Sequence, residues 1–171
     1  MKKRASFSII LIFLFSAIYF TACSYSFTGS SVPQHLHNIL IHGFKDKTHS
    51  GEANLAELLN NLIVENFITD NSLTVIDKGK ADSELSGSII SIKDRMETVT
   101  GETITQRKVT VKVKAVYRDN VKKKKVFDKT FSAFATYDNN ADDVVQARSE
   151  AIATALKQIA DDILMAVVAR W

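Results

Sequence analysis

Residues 103–118 of this chain read TITQRKVTVKVKAVYR, a stretch in which apolar and polar side chains alternate. Successive side chains of a β-strand point to opposite faces of the sheet, so this alternation gives the strand two different faces. One face carries Val109, Val111, Val113, Ala115 and Tyr117. The other carries Lys108, Thr110, Lys112, Lys114, Val116 and Arg118. The stretch therefore predicts a long strand with one face in the core and a basic face outside.

Sequences with the same period lie on both sides of this strand. Residues 84–97 (ELSGSIISIKDRME) precede it, and the intervening residues 98–102 contain Gly101, which is typical of a hairpin turn. Asp119 and Asn120 begin another turn, because Asp and Asn are favoured at turns. A third long strand follows and is marked by Phe127, Phe131, Ala133, Ala135 and Tyr137.

Two stretches have helical rather than strand spacing. Apolar residues recur at helical intervals over residues 54–69, where Asn54 and Glu57 resemble a capping box. A second apolar stripe reaches nearly to the C-terminus and predicts a helix of roughly 40 Å, at 1.5 Å per residue. Asn140 is the predicted cap of this second helix.

Two shorter strands complete the expected fold, over residues 37–44 and 73–76. The resulting order, β-α-β-β-β-β-α, predicts an α+β fold. We expect a mixed, mainly antiparallel sheet of four to five strands, with two helices packed on one face.

The N-terminus has the layout of an export signal, with a basic start (MKKR), an apolar run and the small pair Thr-Ala before Cys23. Small residues before a lone cysteine resemble a lipobox, although Phe20 stands where Leu is usual. Residues 1–22 are therefore predicted to be a lipoprotein signal peptide, with lipidation at Cys23. An uncleaved anchor and ordinary secretion are the alternatives. Residues 23–34 would form a lipidated tether, and residues 35–171 a single domain.

The charge of the chain is concentrated in two places. Removing residues 1–22 takes away three basic residues and no acidic one, so 22 basic residues fall to 19, which equals the number of acidic residues. The basic balance thus gives no argument for a nucleic-acid partner. Residues 107–129, by contrast, contain ten basic residues and two acidic ones, Asp119 and Asp128. This stretch is either a solvated outer face or a surface for phosphorylated lipid head groups or an acidic partner.

No nucleophile elbow, phosphate-binding glycine loop or zinc spacing occurs in the sequence. His35 and His37 would share one side of a strand, which is at most half of a metal site, so no metal is predicted. Four carboxylates on the last helix are interpreted as capping or solvated groups: Asp142, Asp143, Asp161 and Asp162. We expect no catalytic residue, no enzyme activity and no cofactor apart from the lipid on Cys23.

Several stretches resemble the lipopolysaccharide-assembly lipoproteins of the LptE family. Residues 23–29 (CSYSFTG) are similar to the start of the mature family members, with Ser24 in place of the usual glycine. The further matches of pattern are residues 39–48 (ILIHGFKDKT), 81–89 (ADSELSGSI), the valine-rich strand and 134–138 (FATYD).

The resemblance implies an outer-membrane lipoprotein without catalytic activity. Such a protein sits inside the β-barrel of its partner LptD, helps that barrel assemble and assists delivery of lipopolysaccharide to the cell surface. Strand geometry alone points to four residues for contact with lipopolysaccharide or the partner: Lys108, Lys112, Lys114 and Arg118. The alternative is a periplasm-facing lipoprotein that binds a soluble ligand or serves a secretion channel, which predicts an apolar pocket between the helices and the sheet.

Overall fold

Six strands and two helices make up the computed structural model, which describes residues 32–97 and 106–169. The predicted signal peptide, Cys23 and most of the tether lie outside these residues. The strands are β1 (Asn38–Ile41), β2 (Lys45–Asp46), β3 (Thr74–Ile76), β4 (Ser83–Met96), β5 (Gln106–Asp119) and β6 (Lys124–Asp138). The helices are α1 (Leu55–Asp70), between β2 and β3, and α2 (Val144–Val168), after β6.

The strands form one mixed sheet in the order β3-β1-β4-β5-β6, and the two-residue β2 also pairs with β4. β4, β5 and β6 are antiparallel neighbours, whereas β1 runs parallel to both β3 and β4. In the middle of the sheet Ile89, Val113 and Phe131 lie side by side. The predicted α+β fold with a mixed, mainly antiparallel sheet is confirmed.

The predicted alternation of β5 is confirmed by the burial of its side chains. All five residues of its apolar face are fully buried, whereas Lys112, Lys114 and Arg118 are exposed. Both helices join the same core through one apolar stripe each, so both pack on this face of the sheet. The fully buried helix residues are Leu59, Ile63 and Phe67 of α1 and Ile152, Leu156, Ile159, Ile163 and Val167 of α2.

The strand predicted over residues 37–44 ends earlier, at Ile41. Phe44 turns into the core, where it is 3% exposed, and its backbone N–H donates to Asn60 Oδ1 at 2.7 Å. Its ring lies so close to Gly87 that a Cβ there would be 2.3 Å from Phe44 Cε1 and 2.3 Å from the Lys114 carbonyl oxygen. Gly87 is therefore the residue that lets Phe44 cover the sheet, and pairing resumes only at β2.

The structure also corrects both predicted helix caps. Asn54 precedes α1 but has a left-handed backbone (φ 59°) and makes no side-chain capping bond, whereas a capping side chain requires an extended backbone. Helix α2 starts at Val144 with Asp143 as its cap, and Asp143 Oδ1 accepts from the Gln146 N–H at 2.9 Å. Asn140 instead lies in the preceding turn, where its N–H donates to Asp138 Oδ1 at 2.8 Å.

A β-bulge interrupts β4. The pairing of β4 with β5 shifts between Ile89 and Ser91, which leaves Ile90 as an additional residue that is 40% exposed. Beyond the bulge, Ile92 lies opposite Val111 and Asp94 opposite Val109. Paired residues share a face, so the bulge places the Asp94 carboxylate on the helix-covered side of the sheet.

Candidate functional site

The face of β4, β5 and β6 turned away from the helices is rich in hydroxyl and basic side chains. In register, Lys112 lies between Ser91 of β4 and Ser132 of β6. One pair further along, Lys114 lies between Ser88 and Thr130. We call this surface the outer face and define it by the polar β5 residues and their direct neighbours.

The structure separates the four predicted contact residues into two pairs. Lys108 Nζ lies 3.7 Å from the centre of the Phe134 ring and 3.3 Å from Glu97 Oε1, and Lys114 Nζ lies 3.2 Å from Asp128 Oδ1. Lys112 and Arg118 make no ion pair within residues 32–97 and 106–169. About six residues of strand separate these two cations, which is roughly 20 Å. Of the four predicted contact residues, these two therefore remain available to an external anion.

Phe134 was not among the predicted contact residues, although it is 60% exposed on the outer face, on the edge strand β6. It lies opposite Thr110 and beneath the Lys108 ammonium group, a cation–π arrangement. The alternation of β6 could have indicated that Phe134 is exposed, because Phe131, Ala133 and Tyr137 point to the core and Phe134 falls between them. The outer face thus combines cations with one large apolar side chain.

Asp128 of β6 is an acidic residue within the basic outer face. Hydrogen bonds from Lys125 and Lys114 hold the pKa of this carboxyl below its usual value. Lys125 Nζ lies 3.1 Å from Asp128 Oδ2. Asp128 is therefore ionised at neutral pH, and it neutralises part of the charge of these two lysines.

His35 and Asp119 meet at one end of the sheet, which we call the anchor end and define by His35, Asp119 and the β5–β6 turn. His35 Nε2 lies 2.7 Å from Asp119 Oδ2, and the Lys122 N–H donates to Asp119 Oδ1 at 2.8 Å. Burial by itself raises the pKa of Asp119, but these two hydrogen bonds and the nearby charges lower it below the usual value. His37 does not join His35: its backbone N–H bonds to Asp82 at 3.0 Å. Among the described residues, no cluster of metal-ligating side chains is found.

A polar cluster lies at the opposite end of the sheet, which we call the hairpin end. Arg148 of α2 donates to Asp94 through Nη2 at 2.9 Å and through Nε at 3.2 Å, and it also pairs with Glu52. Tyr137 Oη donates to the same Asp94 carboxylate at 2.9 Å. The cluster joins the loop before α1, strands β4 and β6, and the first turns of α2.

The charges of this cluster reinforce one another. Burial alone would raise the pKa of Asp94, but hydrogen bonds from Arg148 and Tyr137, with the charges of Arg148 and Arg107, hold it below its usual value. The Asp94 carboxylate in turn raises the pKa of Arg148. No sequence pattern indicated this cluster, because Glu52, Asp94 and Arg148 are far apart in the chain and Asp94 faces inward only through the bulge. Its residues are mutually paired, so we interpret it as a brace that holds α2 to the sheet.

The other predicted carboxylates of α2 have structural partners. Asp161 Oδ1 accepts from Asn66 Nδ2 of α1 at 2.8 Å, and Asp162 Oδ1 accepts from Gln158 at 3.2 Å. Asp143, one of the carboxylates interpreted as capping or solvated groups, caps the start of α2 through its bond from the Gln146 N–H. No helix within the described part of the chain is long and apolar enough to cross a membrane.

Two open grooves run along the boundary between β6 and α2. One has a volume of about 560 Å³ and extends from Phe134 to Thr154, and the other has about 440 Å³ and extends from Lys129 to Ala169. Both lie at the edge of the sheet and open to the surface, rather than between the helices and the centre of the sheet. The alternative interpretation of the sequence predicted an apolar pocket between the helices and the sheet, and these grooves lie at the open edge of that boundary.

Solved structures share this fold at low sequence identity. A Xanthomonas campestris protein aligns with a TM-score of 0.59 and 14% identity over 81% of this chain and 87% of its own. A minor lipoprotein from Acinetobacter baumannii aligns with a TM-score of 0.52 and 14% identity over 78% of this chain and 92% of its own. The PelC dodecamer from Paraburkholderia phytofirmans aligns with a TM-score of 0.53 and 12% identity over 83% of this chain and 96% of its own. At these identities the similarity shows the fold alone.

Sequence comparison gives the family. No curated protein matches the sequence. The family model LptE, described as lipopolysaccharide-assembly, matches residues 36–167, which include every strand and nearly all of α2. Because that match spans most of the chain and the fold agrees with it, this protein belongs to the LptE family and has a role in lipopolysaccharide assembly.

Proposed function

We propose that this chain is an outer-membrane lipoprotein, anchored by lipid on Cys23, that plugs and helps to assemble an LptD-like β-barrel. It assists transport and insertion of lipopolysaccharide at the cell surface. The LptE family is not a family of enzymes, and the proposed role needs no catalytic residue. The only group beyond the polypeptide in this proposal is the covalent lipid.

The observation that supports this role most directly is the uncovered outer face. One side of the sheet is closed by both helices around an apolar core, whereas the other presents hydroxyls, cations and Phe134. The lumen of a membrane barrel is polar, so a rigid polar sheet face is a suitable surface to lie within it. At about 3.3 Å per residue, the 14 residues of β5 are roughly 45 Å long, which exceeds the ~25 Å apolar band of such a barrel.

Lys112 and Arg118 are our candidates for direct contact with the phosphates of lipopolysaccharide or with acidic groups of the barrel. Both are exposed on a rigid strand, and neither is engaged in an ion pair within the described residues. The Arg118 guanidinium can bind a phosphate through two parallel hydrogen bonds. Lys108 and Lys114 hold partners of their own, so we assign them a smaller share of any binding.

Co-purification from detergent-solubilised outer membranes tests the partner. We expect the tagged chain to recover a large barrel protein, and recovery of the chain without one would contradict the proposal. Charge reversal at Lys112 and Arg118 should weaken recovery of lipopolysaccharide or of the barrel without lowering the melting temperature. The matched control is charge reversal at Lys78 and Lys80, which lie outside the outer face. Equal binding by both variants would indicate that the outer face is only a solvated surface.

The second candidate is a periplasm-facing lipoprotein that serves as a ligand-binding or secretion-channel module. The groove of about 560 Å³ beside β6 supports it, since that volume lies in the range of small-molecule sites. Similarity to PelC is similarity of fold and adds no function. Depletion of the protein separates the two candidates. Loss of surface lipopolysaccharide supports the first, and intact surface lipopolysaccharide supports the second.

A further inference from the structure

Four consecutive lysines, Lys122 to Lys125, begin in the turn after β5 and continue into the first two residues of β6. All four side chains are exposed, and Lys125 pairs with Asp128. The side chains of Lys122, Lys123 and Lys124 have no ion-pair partner among residues 32–97 and 106–169. Arg118 lies beside them and lines, with Lys123 and Lys124, a shallow depression of about 190 Å³. We call these four lysines the lysine turn.

Asp128 pairs with Lys125, but Asp119, which also lies beside the lysine turn, does not offset the charge of the other lysines at the surface. Asp119 is only 2% exposed and is already bound by His35 and by the Lys122 N–H. Val121, immediately before the lysines, is 53% exposed. An apolar side chain placed among solvent-facing lysines is a combination found on surfaces that lie at a lipid–water boundary.

The lysine turn also lies at the end of the domain where the N-terminal segment enters. His35 is held 2.7 Å from Asp119, three residues before Lys122. Eight residues lie between Cys23 and Val32, the first residue that the structure describes, so these two residues cannot be more than about 32 Å apart. The hairpin end lies roughly 45 Å further along β5. A membrane that holds the chain at Cys23 is therefore nearer to the lysine turn than to the hairpin end.

We propose that the lysine turn docks on an anionic bilayer surface, in the leaflet that holds the lipid at Cys23. The lysines would bind phosphate head groups while Val121 enters the boundary layer. The acyl chains already keep the protein on the membrane, so the contact would fix the direction in which the domain stands. This inference rests on the proposed lipidation, but it concerns a surface and a partner distinct from the barrel and lipopolysaccharide.

Vesicle binding by the chain from Ser24 onward tests the lysine turn without the acyl chains. This chain keeps the whole domain, because the buried core residues of the part that the structure describes lie within residues 36–167. The probes are vesicles of phosphatidylglycerol with phosphatidylcholine, and vesicles of phosphatidylcholine alone. Each lysine near an anionic surface contributes about a fivefold factor to binding, so Lys123→Gln with Lys124→Gln should lower the partition coefficient about 30-fold.

The matched control is Lys47→Gln with Lys157→Gln, which removes the same charge from the segment after β2 and from the middle of α2, outside both the outer face and the anchor end. We expect this control to bind like the wild type, and all three proteins to melt at similar temperatures because the replaced side chains are exposed. Three results would each overturn the proposal: no binding by the wild type, equal binding by the Lys123/Lys124 variant, or an equal loss in the control. None of these would bear on barrel co-purification, so failure here is distinguishable from failure of the proposed function.

Discussion

Replacing Arg148 with methionine tests the interpretation of the hairpin-end cluster as a brace. Methionine keeps most of the length of the side chain but removes the cation that binds both Asp94 and Glu52. The three side chains are 23%, 26% and 19% exposed, between a surface pair and a buried one. Surface ion pairs are worth about 0–1 kcal/mol, and breaking a buried pair costs about 3–5 kcal/mol. We therefore expect the free energy of unfolding to fall by about 2 kcal/mol.

Thermal and urea unfolding measure this loss. A change of about 2 kcal/mol should lower the melting temperature by about 8 °C in a domain of this size. Arg118→Met is the matched control, because it removes an exposed arginine without an ion pair and should change stability by at most about 0.5 kcal/mol. Adding Asp94→Asn to Arg148→Met should recover part of the loss, since it removes a carboxylate left without its cation.

The pH dependence follows from the depressed pKa of Asp94. A carboxyl with a lower pKa in the folded state stabilises the fold above its unfolded pKa, and this contribution is lost as pH falls through the folded value. The difference between wild type and Arg148→Met should therefore be full at neutral pH and shrink below about pH 4. A stability equal to that of the Arg118→Met control, or a difference that stays constant in acid, would refute the reasoning.

Three further predictions concern other parts of the chain. Gly87→Ala should destabilise the fold by about 3 kcal/mol in chemical unfolding, because its Cβ would meet the Phe44 ring and a backbone oxygen. Gly43→Ala is the control, because its Cβ would lie 3.7 Å from its nearest neighbour. Equal effects of the two substitutions would contradict the close packing at Gly87. Asp143→Ala should cost about 1 kcal/mol through loss of the α2 cap and Asn140→Ala much less, so the reverse order of stabilities would contradict the assigned cap. Mass spectrometry of membrane-extracted protein should find an N-terminal, acylated Cys23, and an uncut or unmodified cysteine would remove the anchor.

The alternation of apolar and polar residues predicted those features of the fold that depend only on neighbouring residues in the sequence. The valine alternation of β5 determined its buried face because the side chains of a strand alternate whatever its neighbours are. The break after Ile41 could not be predicted in this way, since it depends on Phe44 packing against Gly87, which lies 43 residues later. The bulge at Ile90 likewise depends on the register with β5.

The candidate site, too, was predictable from the sequence only in part. The basic character of the outer face followed from the sequence, but its division into engaged and available cations required the positions of Asp128 and Phe134 on the neighbouring strand. The left-handed backbone of Asn54 also explains why the capping-box prediction was wrong. The identity of the residue favours a cap, but the path of the preceding loop decides whether its side chain can reach the backbone N–H groups of the first helical turn.

Strand β6 ends the sheet on one side, and none of the described strands pairs with its other side along its 15 residues. Such a long open edge offers unpaired backbone groups to another copy of the chain, which makes it a route to aggregation. Lys124, Lys125 and Lys129 lie on this strand and repel a second copy, but that repulsion acts over a Debye length of about 10 Å at 0.1 M salt and only about 3 Å at 1 M. Colloidal stability of the isolated protein should therefore decline as salt is raised, and low ionic strength is the better condition for keeping it monomeric before it meets a partner.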